Sequence, residues 1–421
     1  MSTRSMSPEY KKALKNYRRS TQGKSDKAAS DDWTAFRKAE KKYKAKFPPP
    51  SLDDVLDLSL LLKANNHLDN NDLVGRADVV QVEEIQCERN KRAFILPTIP
   101  GLVLLPSFLS EQEQQDLVQT ALSDVARHSE TNLHTHYDIP PRGLWDIYID
   151  PASSKQLIPP KVVTEEADFA SEPQGPRRLV DNPPVNVTNL AIINSVSKAP
   201  APPSPGTSPS TASELLERLR WANLGYFYHW GTKSYDLRKT LIPIPERIQS
   251  TCKNVVRSIG WHAVWWNNDQ IPGWDNETPD WQDWKRTYQP DAGIVNFYQS
   301  KDTLMGHVDR SEVSCTTPLV SISIGNSAIF LIGGQTRDVE PLPILLRSGD
   351  VIVMSGPFCR RAYHGIPKIL PNTSPSKLFT DSKDNESSAY RSYLQSTRIN
   401  INVRQVFPRG YQFADIGLEG S

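Results

Sequence analysis

Seven short apolar segments between residues 291 and 406 restrict the folds open to this 421-residue chain more than any other feature. Apolar and polar residues alternate in several of them, and glycine-containing turns such as Ser348-Gly349-Asp350 separate them. Many short strands at regular spacing are typical of an all-β sandwich or jelly roll. The predicted strands comprise residues 293–298, 319–325, 328–332, 344–346, 351–354, 362–366 and 397–406.

Helices are predicted upstream of these strands. Ser110 is a suitable N-cap for a helix that ends near Arg127, because acidic residues occupy its first turn. A second helix is expected to start near Ser213, and apolar residues at helical spacing predict a third over residues 245–259. The sequence therefore predicts a mainly β, α+β fold, in which a double-stranded β-helix (jelly roll) core carries an N-terminal helical extension and disordered insertions.

Composition divides the chain into six stretches. Pro, Ser, Thr and Ala dominate residues 151–213, which predicts a disordered insertion, and the Ser-rich stretch 371–391 is predicted to be a surface loop. In chain order, we expect a basic N-terminal arm (1–50), an extension packing on the core (51–150), the insertion (151–213), helices with a substrate lid (214–290), the double-stranded β-helix domain (291–410) and a tail (411–421).

Charge is concentrated at the N-terminus although the whole chain carries a net charge of only +1. The first fifty residues contain fourteen basic and five acidic side chains, a net charge of +9, so the remainder carries −8. Residues 37–46 are expected to form a basic helix or an unstructured arm that attracts phosphate. A solvated helix without a dedicated partner explains the same charges equally well.

Several protein classes are disfavoured by the sequence. Its four cysteines have no CxxC spacing, which argues against a zinc knuckle or a disulfide scaffold and fits a reducing compartment. No apolar run reaches the eighteen or so residues that a membrane helix needs, and the N-terminus lacks the apolar segment of a secretion signal. We therefore expect a monomer without membrane association, in the nucleus or cytoplasm, with the mitochondrion left open.

Three residues have the spacing of a metal site. His307-Val308-Asp309 follows a predicted strand, and His364 lies fifty-seven residues later at the end of another. Two imidazoles and one carboxylate leave three positions open on an octahedral ion, which is the ligand set of a non-haem iron(II) oxygenase. We therefore predict that His307, Asp309 and His364 are the catalytic metal ligands.

Two other clusters of similar form are rejected. His67-Leu68-Asp69, with His128 downstream, lies in a polar turn, and His128 is expected on a helix. His134-Thr135-His136-Tyr137-Asp138 has no supporting strands. Neither cluster is followed by a clamp for a carboxylate co-substrate.

The last predicted strand supplies such a clamp. Alternation along Arg398-Ile399-Asn400-Ile401-Asn402-Val403-Arg404 places the arginines and asparagines on one face. Inside a barrel, two guanidinium groups need anionic partners. Arginine binds carboxylates through paired hydrogen bonds, and 2-oxoglutarate has a carboxylate at each end. We therefore predict 2-oxoglutarate as co-substrate; an exposed strand with a polar face is the alternative.

Together these motifs make the chain resemble the AlkB family of oxidative demethylases. Further phrases, such as Gly325-Asn326-Ser327-Ala328, resemble the branch represented by the first mammalian AlkB homologue. The core of the resemblance covers residues 290–407. The motifs that carry it are Asn296-Phe297-Tyr298, His307-Val308-Asp309, Arg360 before Tyr363-His364-Gly365-Ile366, and the strand bearing Arg398, Asn400 and Arg404.

The resemblance implies roles for these residues. Asn296 and Tyr298 would hydrogen-bond 2-oxoglutarate, with Asn400 on the same polar surface. Arg398 would pair with the distal carboxylate and Arg404 with the end that chelates iron(II). The implied reaction uses O2 and oxidises a substrate C–H bond, and an oxidised N-methyl group leaves as formaldehyde.

The candidate substrate residues lie in the segment 226–235 and in the loop after Asp309. Tyr226, Trp230 and Tyr235 lie in the segment that matches the family's substrate lid, and aromatic faces stack on flipped bases. Ser311 replaces a substrate-contacting Asp of the bacterial pattern, so Arg310 or Glu312 is expected to take over part of its role.

Three functions compete at this stage. The first is oxidation of methylated bases in nucleic acid, with tRNA or DNA as the partner. The second is hydroxylation or demethylation of a protein such as a histone, for which aromatic stacking would be dispensable. The third, a non-catalytic binding module, is disfavoured by the intact ligand set and both arginines.

Overall fold

Two β-sheets packed against each other form the core. The computed structural model describes residues 33–62, 74–162, 183–196, 207–266, 274, 280–379 and 385–411. Eight strands form the major sheet and five form the minor sheet. All pairs within the two sheets are antiparallel except the pairing of residues 56–57 with residues 344–345. This arrangement confirms the predicted mainly β fold with flanking helices.

The strands are β1 (Leu56–Asp57), β2 (Glu83–Ile85), β3 (Ala93–Ile95), β4 (Leu102–Leu105), β5 (Leu157–Ile158), β6 (Ser210–Thr211), β7 (Trp221–Gly225), β8 (Phe227–His229), β9 (Ser234–Asp236), β10 (Ala292–Gln299), β11 (Leu304–His307), β12 (Leu319–Gly325), β13 (Ala328–Ile332), β14 (Leu342–Leu346), β15 (Val351–Met354), β16 (His364–Ile369) and β17 (Thr397–Arg404). All seven predicted strands are present with shifted ends, and β1 to β9 and β11 are additional to them. The order of the major sheet is β2-β3-β4-β15-β12-β17-β10-β7, and that of the minor sheet is β1-β14-β13-β16-β11.

The helices are α1 (Ala35–Lys44), α2 (Leu58–Leu61), α3 (Glu111–Gln119), α4 (Ala126–His128), α5 (Leu144–Ile149), α6 (Leu190–Ser195), α7 (Ala212–Leu216), α8 (Glu246–Ser258), α9 (Trp261–Trp265), α10 (Trp284–Thr287), α11 (Gly356–Arg360) and α12 (Asn385–Ser396). The predicted N-cap Ser110 forms a capping box with Glu113 at the start of α3. Among the described residues, no helix is long and apolar enough to cross a bilayer.

Period-two alternation in the central strands separates two apolar layers. On β15, Val351 and Val353 pack against the helices that cover the major sheet, whereas Ile352 and Met354 pack against the minor sheet. Each fully buried side chain of this size contributes about 1.5–3 kcal/mol. The central strands are therefore covered on both faces, which keeps the space between the sheets shielded from solvent.

The prediction of a surface loop over 371–391 is wrong at its C-terminal end, because α12 begins at Asn385. Tyr390 on this helix stacks on Trp145 with ring centroids 4.5 Å apart and on Phe379 at 5.0 Å. Tyr390 and Leu394 are one helical turn apart and both are buried against the major sheet. This apolar pair is hidden in a Ser-rich sequence, which explains why composition alone predicted a loop.

The prediction that all of 151–213 is disordered is also wrong for part of that stretch. β5 pairs with β6, and α6 lies between them in the chain. Val185 and Leu190 are buried in a cluster with Val406. A few apolar residues within the Pro- and Ser-rich sequence are sufficient to anchor these pieces to the domain.

The basic segment 37–46 forms a helix over most of its length, one of the two alternatives that its sequence allowed. Phe36, Glu40 and Tyr43 on α1 are buried, and the helix lies against β11, β13 and β16. Lys38, Lys41, Lys42 and Lys44 are exposed, whereas Arg37 is half-buried and pairs with Glu40. This part of the predicted arm is therefore docked on the core.

Candidate active site

His307 and His364 lie at adjoining ends of two neighbouring strands. His307 ends β11, His364 begins β16, and the antiparallel register places them opposite each other, with ring centroids 4.5 Å apart. Asp309 Oδ1 lies 3.6 Å from His307 Nε2. Ligand atoms of the three residues all lie within 4.8 Å of one another, the one such group in the part of the chain that the structure describes.

Backbone carbonyls fix the orientation of both imidazoles. His307 Nδ1 lies 3.0 Å from the carbonyl oxygen of Met305, and His364 Nδ1 lies 3.0 Å from that of Ala362. Because a carbonyl oxygen only accepts hydrogen bonds, each neutral ring donates from Nδ1 and keeps its Nε2 lone pair for a metal ion. Such outer hydrogen bonds orient metal-binding histidines.

Arg404 holds one oxygen of Asp309 and leaves the other beside the histidines. Arg404 Nη1 lies 2.7 Å from Asp309 Oδ2 and 2.6 Å from Glu312 Oε1, and all three side chains are largely buried. Asp309 Oδ1 faces His307 instead. The donor set is therefore two imidazole nitrogens and one carboxylate oxygen, which fits a non-haem iron(II) ion with open positions.

The electrostatics of the site favour a cation. Burial raises the pKa of the Asp309 carboxyl, but Arg404, His364 and His307 outweigh it and hold that pKa well below its usual range. Burial, followed by the neighbouring His307, lowers the pKa of His364 to about 4. Asp309 is therefore ionised and His364 neutral near pH 7, which are the forms that bind metal ions.

A small cavity of about 40 Å³ adjoins the three predicted ligands. Side chains of both sheets line it. Its polar lining comprises Tyr298, His307, Asp309, Ser321, His364, Arg398, Asn400, Asn402 and Arg404.

The register of β10 and β17 assembles the polar part of this lining. Tyr298 is opposite Arg398 and both line this cavity, whereas Asn296, which is opposite Asn400, does not line it. Asn400 Nδ2 donates to Ser321 Oγ at 2.9 Å on β12. The alternation predicted along β17 is confirmed, since its polar residues face the cavity while the intervening apolar residues pack against the covering helices.

Arg398 is fully buried and lacks partners for part of its guanidinium. Nη2 donates to Ser323 Oγ at 2.9 Å, but Nε and Nη1 have no partner among the described residues. Burial lowers the pKa of Arg398 to about 10, although Tyr298 opposes this shift. A buried cation with unsatisfied donors beside a cavity fits a carboxylate ligand, which Arg binds through paired hydrogen bonds.

A second, larger cavity of about 620 Å³ borders His307 and Asp309. His307, Asp309 and Arg404 line both cavities. Aromatic and basic residues surround the larger one, together with the predicted Asn296. These are Tyr228, Trp230, Tyr235 and Tyr363, with Lys233, Arg310 and Arg337.

The lid hairpin β8–β9 is tied to the loop that follows Asp309. Ser311 Oγ donates to the carbonyl oxygen of Lys233 at 2.9 Å, and Tyr235 OH lies 3.4 Å from Glu312 Oε1. The other oxygen, Glu312 Oε2, is buried with no partner among the described residues. Of the predicted substrate residues, Trp230, Tyr235, Arg310, Ser311 and Glu312 line the larger cavity.

Tyr226 lies elsewhere: its ring packs edge-on against Phe407, 5.1 Å away, and it does not line the larger cavity. The rejected clusters also stay apart from the site. His128 is an exposed residue on α4, His134 hydrogen-bonds Thr131, and residues 67 and 69 lie outside the described part of the chain.

Sequence reasoning missed Tyr228 as a lining residue. Tyr228 is the cross-strand neighbour of Tyr235 in the hairpin and contacts Trp230 edge-on at 5.1 Å. Since Tyr228 and Trp230 are two residues apart, strand alternation would have placed both on one face. Arg337 and Tyr363 come from distant loops, and no local pattern marks them.

The two-sheet fold and the His307, Asp309 and His364 donor set are those expected of an oxygenase that uses iron and a 2-oxo acid. A family model described as the 2OG-Fe(II) oxygenase superfamily matches residues 194–404, and the chain belongs to this superfamily. Within it, the chain belongs to the AlkB family, in the branch of ALKBH1.

Three relatives place the chain in that branch. The DNA N(6)-methyladenine demethylase ALKBH1A of Arabidopsis thaliana is 30% identical over 388 residues, covering 89% of this chain and 97% of the relative. The tRNA demethylase abh1 of Schizosaccharomyces pombe is 28% identical, covering 89% and 96%. The nucleic acid dioxygenase ALKBH1 of Mus musculus is 34% identical over 216 residues, covering 47% and 49%.

Proposed function

We propose that this chain oxidises methylated bases in nucleic acid, either tRNA or DNA, with iron(II), 2-oxoglutarate and O2. The products are succinate, CO2 and an oxidised base, and formaldehyde where the methyl group is on nitrogen. One observation carries the proposal: an aromatic-lined cavity of about 620 Å³ reaches two of the three predicted metal ligands, His307 and Asp309, which also line the small polar cavity. The names of the relatives support a nucleic-acid substrate.

His307, Asp309 and His364 would hold the iron, which supplies the activation of O2 for attack on a C–H bond. Arg398 would bind the distal carboxylate of 2-oxoglutarate, and Tyr298 and Asn400 would line its path. Arg404 orients Asp309 through its ion pair at Oδ2 and borders both cavities. At the small cavity, Arg398 is fully buried between the sheets, so a carboxylate bound there would be shielded from water.

The larger cavity has the chemistry that a flipped nucleotide needs. Trp230 is 39% exposed, and its ring is supported by Tyr228 at 5.1 Å and by Trp221 at 5.6 Å. Such a supported aromatic face stacks on bases. The cations Lys233 and Arg337 at the same cavity are suited to the neighbouring phosphates.

Succinate release with a panel of methylated RNA and DNA oligonucleotides tests this proposal. We expect release to be stimulated by at least one methylated oligonucleotide and not by its unmethylated counterpart. Stimulation by methylated histone peptides alone would contradict the proposal and favour a protein substrate. The unstimulated turnover of 2-oxoglutarate provides the baseline for both sets.

Replacing Trp230 by alanine is expected to raise KM for the methylated oligonucleotide about 5- to 150-fold, since stacking on an aromatic side chain contributes about 1–3 kcal/mol per base. The affinity for 2-oxoglutarate should stay unchanged, because Trp230 does not line the small cavity. Steady-state kinetics with each substrate varied in turn measure both quantities.

Tyr226→Leu is the matched control for this variant. It also removes an aromatic ring from the lid segment, but that ring contacts Phe407 rather than the larger cavity. We expect Tyr226→Leu to leave KM for the oligonucleotide within about 2-fold of the wild type. Equal effects of the two substitutions would show that the lid acts only through its folding.

A further inference from the structure

The strand that ends in His307 contains a bulge immediately before the metal ligand. β11 pairs with β16 at Leu304 with Ile366 and again at His307 with His364. Three steps along β11 therefore correspond to two steps along β16, so β11 has one extra residue. A bulge re-aims the side chain that follows it and leaves a peptide group without its regular ladder partner.

Gly306 receives its missing partners from distant parts of the chain. Its N–H donates to the Glu40 carboxylate on α1, 266 positions away in sequence. Its carbonyl oxygen accepts from Arg337 Nη2 at 2.7 Å, and the Phe36 N–H donates to the Arg337 carbonyl oxygen at 2.9 Å. Both polar groups of the residue before His307 are therefore held by hydrogen bonds.

Glu40 is an unusual residue for the position it occupies. Phe36, Glu40 and Tyr43 form the buried face of α1, so a carboxylate lies between two aromatic residues that are themselves fully buried. Glu40 is 1% exposed, and its other oxygen is 2.9 Å from Arg37 Nη1. Burying a carboxylate is unfavourable unless it is paired, so a helix that needed only to pack would place an apolar residue there.

Close packing of α1 also depends on Gly306. A Cβ atom at that position would lie 2.4 Å from Phe36 Cε1 and 3.1 Å from a Glu40 carboxylate oxygen. Any side chain would force the helix away from the strand. The glycine and the buried carboxylate thus fit each other across the interface.

We propose that Glu40 is a positioning residue for the metal site, acting on His307 through the Gly306 peptide. Glu40 holds the N–H of the Met305–Gly306 peptide, and Arg337 holds the carbonyl oxygen of the next peptide, Gly306–His307. The Met305 carbonyl, in the same peptide unit as the Gly306 N–H, then directs His307 Nδ1. The N-terminal helix is in this way part of the metal site although it contributes no ligand. The inference depends on His307 as a ligand and is independent of the substrate.

Three variants test the proposal in equilibrium titrations with Mn(II), a metal probe that requires no turnover. Glu40→Met keeps the size of the side chain but removes the acceptor, and we expect the affinity for Mn(II) to fall about 10- to 100-fold, as for other outer partners of metal ligands. Glu40→Gln keeps an acceptor oxygen and should stay within about 3-fold of the wild type. Tyr43→Phe, on the same buried face, removes the hydrogen bond to Asp54 Oδ2 at 2.7 Å and should not change the affinity.

Hydrogen exchange of the metal-free protein gives a second measurement. The Gly306 amide should be protected, and in Glu40→Met but not in Tyr43→Phe it should exchange faster. Unchanged Mn(II) affinity in folded Glu40→Met would overturn the proposal. An equal loss in Tyr43→Phe or Glu40→Gln would do the same, as would an unprotected Gly306 amide in the wild type.

Discussion

Replacing His307 by alanine is expected to reduce metal affinity by more than about 100-fold and to abolish turnover of every substrate. Loss of an outer hydrogen-bond partner alone costs 10- to 100-fold, and His307 is a direct ligand in the proposed site. The two remaining ligands, Asp309 and His364, would supply only two of the three donor atoms. Anaerobic titration with iron(II), followed by succinate release on adding O2, measures both effects.

The fold should tolerate this substitution. His307 is only partly buried, its ring makes one backbone hydrogen bond, and it occupies the end of β11. We therefore expect the thermal unfolding temperature of the metal-free variant to stay close to that of the wild type. A loss of metal binding in a folded protein separates the role of His307 as a ligand from a structural role.

His128→Ala is the matched control. His128 belongs to the rejected cluster, its side chain is 64% exposed, and its ion-pair partner among the described residues is Asp124, 3.7 Å away. This substitution should leave iron binding and turnover unchanged. Turnover retained in His307→Ala, or lost in His128→Ala, would be incompatible with the assigned metal site.

Local periodicity explains why much of the site could be predicted from sequence. The face of β17 that carries Arg398 and Arg404 follows from alternation along a single strand, and the register with β10 confirms it. His307 and Asp309 are two residues apart, so their closeness is also a local property. Such features depend on few long-range contacts.

The partners of these residues could not be predicted in the same way. The sequence predicts that Arg404 binds 2-oxoglutarate. In the structure Arg404 bridges Asp309 and Glu312, which precede it in the chain by more than ninety residues. Glu40 reaches Gly306 across 266 positions. Long-range contacts of this kind depend on how the sheets and helices pack, and neither charge nor periodicity encodes them.

The aromatic lid shows a third kind of limit. Tyr226 and Tyr228 are two residues apart and would lie on the same face of a continuous strand, yet of the two only Tyr228 lines the larger cavity. Gly225 has a φ of +66°, which turns the backbone between β7 and β8 and directs Tyr226 toward Phe407. The alternation of side chains therefore holds within β8 and β9 and fails across the turn at Gly225.

Replacing Arg398 by methionine is expected to change 2-oxoglutarate binding and the stability of the ligand-free protein in opposite directions. KM for 2-oxoglutarate should rise at least about 100-fold, because charge-assisted hydrogen bonds contribute about 1.5–3 kcal/mol each and the variant has none. The ligand-free variant should be more stable than the wild type by about 1–3 kcal/mol, which is the cost of burying unsatisfied donors. Methionine keeps a similar volume and adds no polar atom.

Thermal unfolding with and without 2-oxoglutarate measures the binding of 2-oxoglutarate and the stability of the ligand-free protein in one experiment, and steady-state kinetics measure KM. Saturating 2-oxoglutarate raises the stability of a protein that binds it in the folded state alone by RT ln(1 + [L]/Kd). The wild type should therefore gain stability on addition of the ligand in the presence of Mn(II), whereas Arg398→Met should start higher and gain little. The difference in unfolding temperature between Arg398→Met and the wild type should therefore shrink, or change sign, as the concentration of 2-oxoglutarate increases.

Arg391→Met provides the control for removing a guanidinium. Arg391 lies on α12, donates to the Phe379 carbonyl oxygen and does not line either cavity. We expect it to lower stability without altering the response to 2-oxoglutarate. If Arg398→Met instead destabilised the ligand-free protein and kept the wild-type KM, the buried guanidinium of Arg398 would be structural, and the co-substrate carboxylate would have to bind elsewhere in the small cavity.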